Sequence, residues 1–132
     1  MGTRSLTNVF DDDDQLICSM YRQLDGYPSG HGAALAEFLK DMRIVNGIGI
    51  GREKAGTHAN GMDCLAAQIV AAFKNGIGGV YLVRPRRKPE WEDYIYEISL
   101  RGGDLWFVVK APHAKVFEGR IGDFTAFCAQ TE

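Results

Sequence analysis

The period of the hydrophobic and polar positions changes several times along the chain, and each change marks an element. Residues Arg4 to Phe10 and Gln15 to Leu24 read as extended antiparallel strands joined at an acidic tip, Asp11-Asp12-Asp13-Asp14. In the second strand Leu16, Cys18, Met20, Arg22 and Leu24 share one face, and Ile17, Ser19, Tyr21 and Gln23 share the other. Leu35, Phe38, Leu39 and Met42 follow at i, i+3, i+4, i+7, the stripe of an amphipathic helix that begins near Ser29. A second helix is predicted from Gly61 to Lys74, with Met62, Leu65, Ala66, Ile69, Val70 and Phe73 on its stripe and Asn60 at the N-cap. Ala67, Ala71 and Ala72 lie elsewhere on that helix, so cover on more than one side is expected, either because it is the central core helix or because it also contributes to a homo-oligomer contact.

Between the helices, the glycines of Ile44 to Gly51 argue for a short strand or a closely passing loop. From Gly79 the pattern is β throughout. Val80 to Val83, Tyr94 to Leu100, Leu105 to Lys110 and Lys115 to Gly119 read as strands, broken by the basic loop Arg84 to Pro89 and a tight hairpin at Gly102-Gly103. Asp123 to Cys128 reads as a short helical turn or a frayed end. The order β-β-α-α-β-β-β, with a further strand at Lys115 to Gly119, lacks the alternation of parallel folds. It predicts a single α+β domain over 1–132, an antiparallel sheet with two main helices on one face.

Composition narrows the class. A chain of 132 residues buries enough surface for an independent core without metals or disulfides. With 15 Lys+Arg against 17 Asp+Glu the formal charge is −2, which argues against nucleic-acid binding by bulk electrostatics. No apolar run has the length of a membrane span or a signal peptide, so a cytoplasmic protein without membrane contact is expected. Cys18, Cys64 and Cys128 are odd in number and far apart, which predicts reduced thiols. Neither a metal nor a cofactor is expected, and the acidic tip lacks the spacing of a calcium loop.

The candidate chemistry centres on Arg22. A guanidinium on an apolar strand face needs a carboxylate such as Asp25, a carbonyl or a ligand anion. The chain then leads into the first helix through Gly30-His31-Gly32, where free backbone N–H groups and glycine would let a phosphate approach, with Tyr21 and Tyr27 available to stack on a base. Asn60-Gly61 forms a similar start to the second helix. If the two helix starts open toward one sheet edge they form a single anion cleft, to which the Ile48 to Lys54 loop adds Arg52 and Lys54. The expected ligand-binding set is therefore Arg22, Tyr27, Gly30, His31, Gly32, Asn60 and Gly61, with Arg4 near the start of the first strand. The plainer readings are a tight turn for the glycines, an ordinary N-cap for Asn60 and a solvated loop for Arg84 to Lys88. Hydrolase signatures are missing, and no catalytic residue is expected.

The opening Met1-Gly2-Thr3-Arg4-Ser5-Leu6, the block Tyr21 to Gly32 (YRQLDGYPSGHG), Ile44-Val45-Asn46-Gly47-Ile48-Gly49 and Ala59-Asn60-Gly61-Met62 resemble a group of small uncharacterised bacteriophage and prophage proteins that begin with a Gly-Thr-Arg-Ser segment. The resemblance spans roughly the first two thirds of the chain and carries no assigned activity or functional residue. It implies a phage setting in the host cytoplasm, where small proteins counter host immunity, including by sequestering nucleotide signals. The expected function is capture, without cleavage, of a phosphate-containing small molecule such as a nucleotide or a cyclic oligonucleotide immune signal. Two alternatives stay open. One is a protein-interaction module inhibiting a host enzyme through Trp91, Trp106 and the Arg84 to Lys88 loop, and the other is a phosphodiesterase-like enzyme using His31 or His58.

Overall fold

The computed structural model describes residues 2–47 and 57–131, with side chains through residue 128. The acidic hairpin forms as β1 (Ser5–Phe10) and β2 (Leu16–Arg22). A π-helical turn, Pro28–Gly32, runs into α1 (Ala33–Leu39), and two short strands follow, β3 (Arg43–Val45) and β4 (His58–Asn60). Then come α2 (Gly61–Phe73), β5 (Val80–Val83), β6 (Tyr94–Arg101), β7 (Asp104–Ala111), β8 (Ala114–Arg120) and α3 (Ile121–Thr131). Six strands make one sheet in the order β5-β2-β1-β6-β7-β8, and β3 and β4 pair separately. Among the described residues no helix is long and apolar enough to cross a membrane.

The α+β class is as expected, but three details differ. The sheet is mixed, because β1 pairs antiparallel with β2 and parallel with β6. Turn chemistry reveals hairpin partners, whereas a pairing closed over most of the chain leaves no local signature. The two expected helices are not consecutive, since β3 and β4 stand between them as a parallel pair. Only the start of the Ile44 to Gly51 stretch is covered, and Ile48 to Lys54, with Arg52 and Lys54, lies outside the described residues. Finally, the tail is a full helix. Gly122 and Thr125 weaken α3 intrinsically, but Phe124 is fully buried with its ring 4.9 Å from Phe107 and 5.1 Å from Phe117, so packing outweighs propensity.

One core lies between the sheet and the helices. Val9, Met20, Tyr96, Ile98, Phe107 and Val109 of the sheet meet Leu35 and Leu39 of α1, Leu65 and Ile69 of α2, and Phe124 of α3. The turn between β6 and β7 requires glycine, because Gly102 and Gly103 both have positive φ (57° and 84°), the geometry of a two-residue hairpin.

The opposite, outer face is partly covered by the basic loop. Since β5 pairs with β2 and β6 with β1, the connection between β5 and β6 crosses the sheet rather than closing a solvated hairpin, and its contacts with Asn8 and Ser19 place it on the outer face. Its middle is fastened down. The Arg86 backbone N–H donates to Ser19 Oγ (3.1 Å), and its carbonyl accepts from Asn8 Nδ2 (3.0 Å). The Arg86 guanidinium grips the Glu92 carboxylate with two bonds of 3.0 and 2.7 Å, and the Glu92 side chain has no exposure. Burial alone would raise the Glu92 carboxyl, but the hydrogen bonds and charge of Arg86 and two backbone N–H groups hold it below the usual range. Arg87 lies 4.6 Å over the Phe10 ring.

Candidate functional site

Alternation along β1 and β2 turns Ser5, Thr7, Met20 and Arg22 toward the helices, with Ser5 opposite Arg22 and Thr7 opposite Met20. Arg22 ends β2, is half-buried, and donates from Nε to the Leu24 carbonyl (2.8 Å) and from Nη1 to His31 Nδ1 (3.0 Å). A guanidinium can only donate, so Nδ1 carries the lone pair and the ring proton sits on Nε2. That proton is donated to Thr7 Oγ1, 2.7 Å away.

The imidazole is fully buried, with the Phe73 and Tyr96 rings each 5.2 Å away in edge-on contact. Burial first and the charge of Arg22 second lower its pKa from 6.5 to about 3. His31 is therefore neutral near pH 7. It orients Arg22 rather than exchanging protons with a ligand. The Tyr96 hydroxyl donates to the Gly26 carbonyl (2.6 Å), and burial raises that phenol.

Arg22 does not meet Asp25. The Asp25 carboxylate instead accepts from Tyr27 Oη at 3.4 Å, and among the described residues Arg22 forms no ion pair. Asp25 takes a left-handed conformation (φ 60°), one that Asp tolerates better than most residues, and its carbonyl accepts the His31 N–H at 2.8 Å. Gly30 and Gly32 both donate to the Tyr27 carbonyl, at 2.9 and 3.5 Å. The N–H groups expected to cradle a phosphate are thus bonded to their own loop.

These glycines serve close packing. A Cβ on Gly32 would lie 3.0 Å from both Tyr96 Cε1 and Phe124 Cζ, and one on Gly30 would lie 2.9 Å from the Tyr27 ring. Tyr27, 40% exposed, consequently rests one edge of its ring on Gly30 and leaves the remainder to solvent.

The start of α2 lies elsewhere. Asn60 Oδ1 accepts the Gly47 N–H (2.7 Å) and does not cap α2, while Gly61 has φ 80° and open space around its α-carbon. Both border a cavity of about 250 Å³ shared with Asp11, Asp12, Asp13 and Asp63. The acidic tip thus complements the positive end of the α2 dipole. It lies at the far end of β1 from Arg22, about 17 Å away at the usual rise per strand residue. Asn60 and Gly61 therefore do not join Arg22 in one anion cleft, and a phosphate beside them would meet carboxylates. Among the described residues no group of His, Cys, Asp and Glu is arranged to hold a metal ion.

His58 stands at this same distant end, bonded through Nδ1 to Thr57 Oγ1 (2.9 Å), so the two candidate histidines do not form a catalytic pair. Arg4 precedes β1, and its main chain is tied to Asp93 in both directions (3.1 and 2.9 Å). Trp91 lies on the outer loop. Trp106 is on β7, donating to Glu118 Oε2 (3.1 Å), several strands away, so the two tryptophans do not share a patch.

Of the expected set, the structure brings together Arg22, His31, Tyr27, Gly30 and Gly32. Thr7 and Ser5 belong with them and were missed. The available signal was their period-two alternation with Val9, opposite the Cys18, Met20 and Arg22 face of β2. Ser5 Oγ is buried beside Arg22 and has no hydrogen-bond partner among the described residues. The chain matches no protein-family model, no curated protein and no solved structure.

Proposed function

We propose that the protein binds a phosphate-containing small molecule of nucleotide-like build without cleaving it, with Arg22 as the anion contact and Tyr27 as a stacking surface. The observation that carries this reading is the state of Arg22. It is half-buried and held in one orientation by the Leu24 carbonyl and a neutral histidine, yet it forms no ion pair among the described residues. A partly desolvated guanidinium without a carboxylate favours an incoming anion. The unpaired Ser5 hydroxyl offers a further donor nearby. The burial of His31 favours capture over hydrolysis, because both ring nitrogens are committed to Arg22 and Thr7 and the lowered pKa makes the imidazole a weak base. Sequestration of a nucleotide or cyclic oligonucleotide immune signal is the role that the phage resemblance implies, and it accords with capture.

Calorimetry at low salt, with inorganic phosphate, mononucleotides and cyclic dinucleotides as probes, tests the reading. Arg22→Gln is expected to weaken binding of the best probe by about 10- to 100-fold, the range of a charged hydrogen bond, while the ligand is recovered intact on denaturation. No binding by any probe, unchanged affinity in Arg22→Gln, or a cleaved product would overturn it.

The assembly that goes with this reading is a homo-oligomer through α2. Ala67 and Ala71 are exposed beside a groove of about 530 Å³ that Val70 and Leu82 also line. Asp63 and Lys74 mark its opposite ends, so an antiparallel second copy meets unlike charges. Sedimentation of Ala67→Glu checks this, with a monomeric wild type as the refuting result.

A further inference from the structure

The outer face of the sheet carries a second cleft, independent of the Arg22 site. It has a volume of about 460 Å³, within the size range of small-ligand sites. Tyr21 and Tyr81 form its floor, their ring centroids 6.1 Å apart and tilted by 44°. Trp91 and Pro85 of the crossing loop form a wall, and Arg84 stands at the rim. Adjacent on β2, Tyr21 and Arg22 serve opposite faces, so the two sites share no side chain.

Three observations point to a ligand here. First, aromatic surface is left in water: Trp91 is 61% exposed and Tyr81 46%. Second, the wall is built in advance. Trp91 sits between Glu90, whose N–H donates to Glu92 Oε1 (2.9 Å), and the buried Glu92, itself gripped by Arg86. The indole is therefore held on an anchored backbone, which lowers the ordering cost of binding. Third, the charges at the cleft are unequal. Arg86 is neutralised by Glu92 and lies 3.6 Å from Glu90, whereas Arg84 is exposed and forms no ion pair among the described residues. Aromatic faces beside a free guanidinium fit a planar ring system carrying negative charge.

We propose that this cleft binds a nucleobase bearing phosphate, the base stacking on Trp91 and the tyrosines and the phosphate meeting Arg84. A free nucleotide and a single strand offer the same chemistry, and the experiment separates them. Adenosine monophosphate, a short oligothymidylate and the baseless control ribose 5-phosphate are titrated against the full chain. Stacking is read as quenching of Trp91 in a Trp106→Phe background, and affinity by calorimetry in that background carrying Arg22→Gln, so that phosphate held at the Arg22 site does not contribute. Base-containing probes are expected to quench Trp91, with a tighter oligothymidylate identifying a single strand and a tighter mononucleotide a free nucleotide. Trp91→Ala is expected to weaken binding about tenfold, in line with base–aromatic stacking elsewhere. Arg84→Gln reduces both affinity and its salt dependence. Arg22→Gln leaves the quenching unchanged, which separates failure of this site from failure of the other.

The proposal is overturned by any of three results: no quenching by either base-containing probe, equal binding of ribose 5-phosphate, or wild-type affinity in both Trp91→Ala and Arg84→Gln. It is likewise overturned if sedimentation shows a wild-type oligomer that Trp91→Ala dissociates, since the cleft would then be covered by a second copy. Thermal unfolding of each variant monitors the fold, and because these side chains are exposed, little change is expected.

Discussion

The buried histidine makes the protein's stability depend on pH in a window where surface histidines matter little. His31 has its folded pKa lowered from 6.5 to about 3, while the unfolded chain returns it to the ordinary value. Between those limits the unfolded state binds the extra proton, so stability is fully present above about pH 6.5 and falls as the pH drops through the window. Linkage gives a loss of about 2 kcal/mol at pH 5 and about 5 kcal/mol once both states are protonated. Burial is the larger cause and the neighbouring Arg22 charge the smaller. A proton on Nδ1 would point at the Nη1 of Arg22, which can only donate, in a pocket closed by Phe73 and Tyr96. Urea unfolding at pH 7 and pH 5 measures the effect, with His31→Gln as the reference. The substituted amide offers an acceptor to Arg22 and a donor to Thr7 but no titration, so the variant should lose about 2 kcal/mol less between the two pH values. The comparison cancels every other titrating group and does not depend on how stable the variant is at pH 7. Equal losses in both proteins would refute the reasoning, as would an NMR titration placing the folded His31 midpoint above pH 5.

Two further substitutions check the packing logic. Glu92→Gln removes the buried charge and one of the two paired bonds that fasten the outer loop, and among the described residues leaves Glu90 as the remaining carboxylate near Arg86, so a loss of about 3 kcal/mol is expected by chemical denaturation. Replacing Arg86 and Glu92 together with Met and Leu should recover part of it, and a double variant less stable than Glu92→Gln alone would contradict this account. Gly32→Ala should cost about 1–3 kcal/mol because its Cβ lies 3.0 Å from two ring carbons that are themselves packed. Gly122→Ala, where nothing lies within 4 Å of the new atom in the first turn of α3, should gain about 0.5 kcal/mol. Equal effects at the two glycines, read as thermal midpoints, would show that the close approach at Gly32 is not what selects glycine.

Much of the secondary structure is legible in the sequence, because period two and period 3.6 are properties of neighbouring residues. The β1–β2 hairpin, the α2 stripe, the Gly102-Gly103 turn and the β-rich second half all follow from local pattern. So does the placement of Arg22 on the helix-facing side, through alternation with Met20. The parallel pairing of β1 with β6 does not follow, and neither does the path of the β5–β6 loop, because both depend on contacts between residues distant along the chain. The α3 helix was hidden for a related reason: it owes its stability to the burial of Phe124 against Phe107 and Phe117 rather than to its own propensity.

The same division runs through the candidate site. From sequence, glycine beside a helix start reads equally well as an anion cradle or as a close approach of packed groups. Tertiary structure decides for packing at Gly30 and Gly32, since the neighbouring N–H groups find carbonyls at Asp25 and Tyr27. It also sends Asn60 and Gly61 to the far end of β1, where the acidic tip faces the positive end of α2. The identity of Arg22 as a guanidinium in need of a partner was fixed by residue order alone. That its partner is a neutral histidine held by Thr7, and not a carboxylate, could only be decided once the folded chain brought β1, β2 and the π-helical turn together in three dimensions.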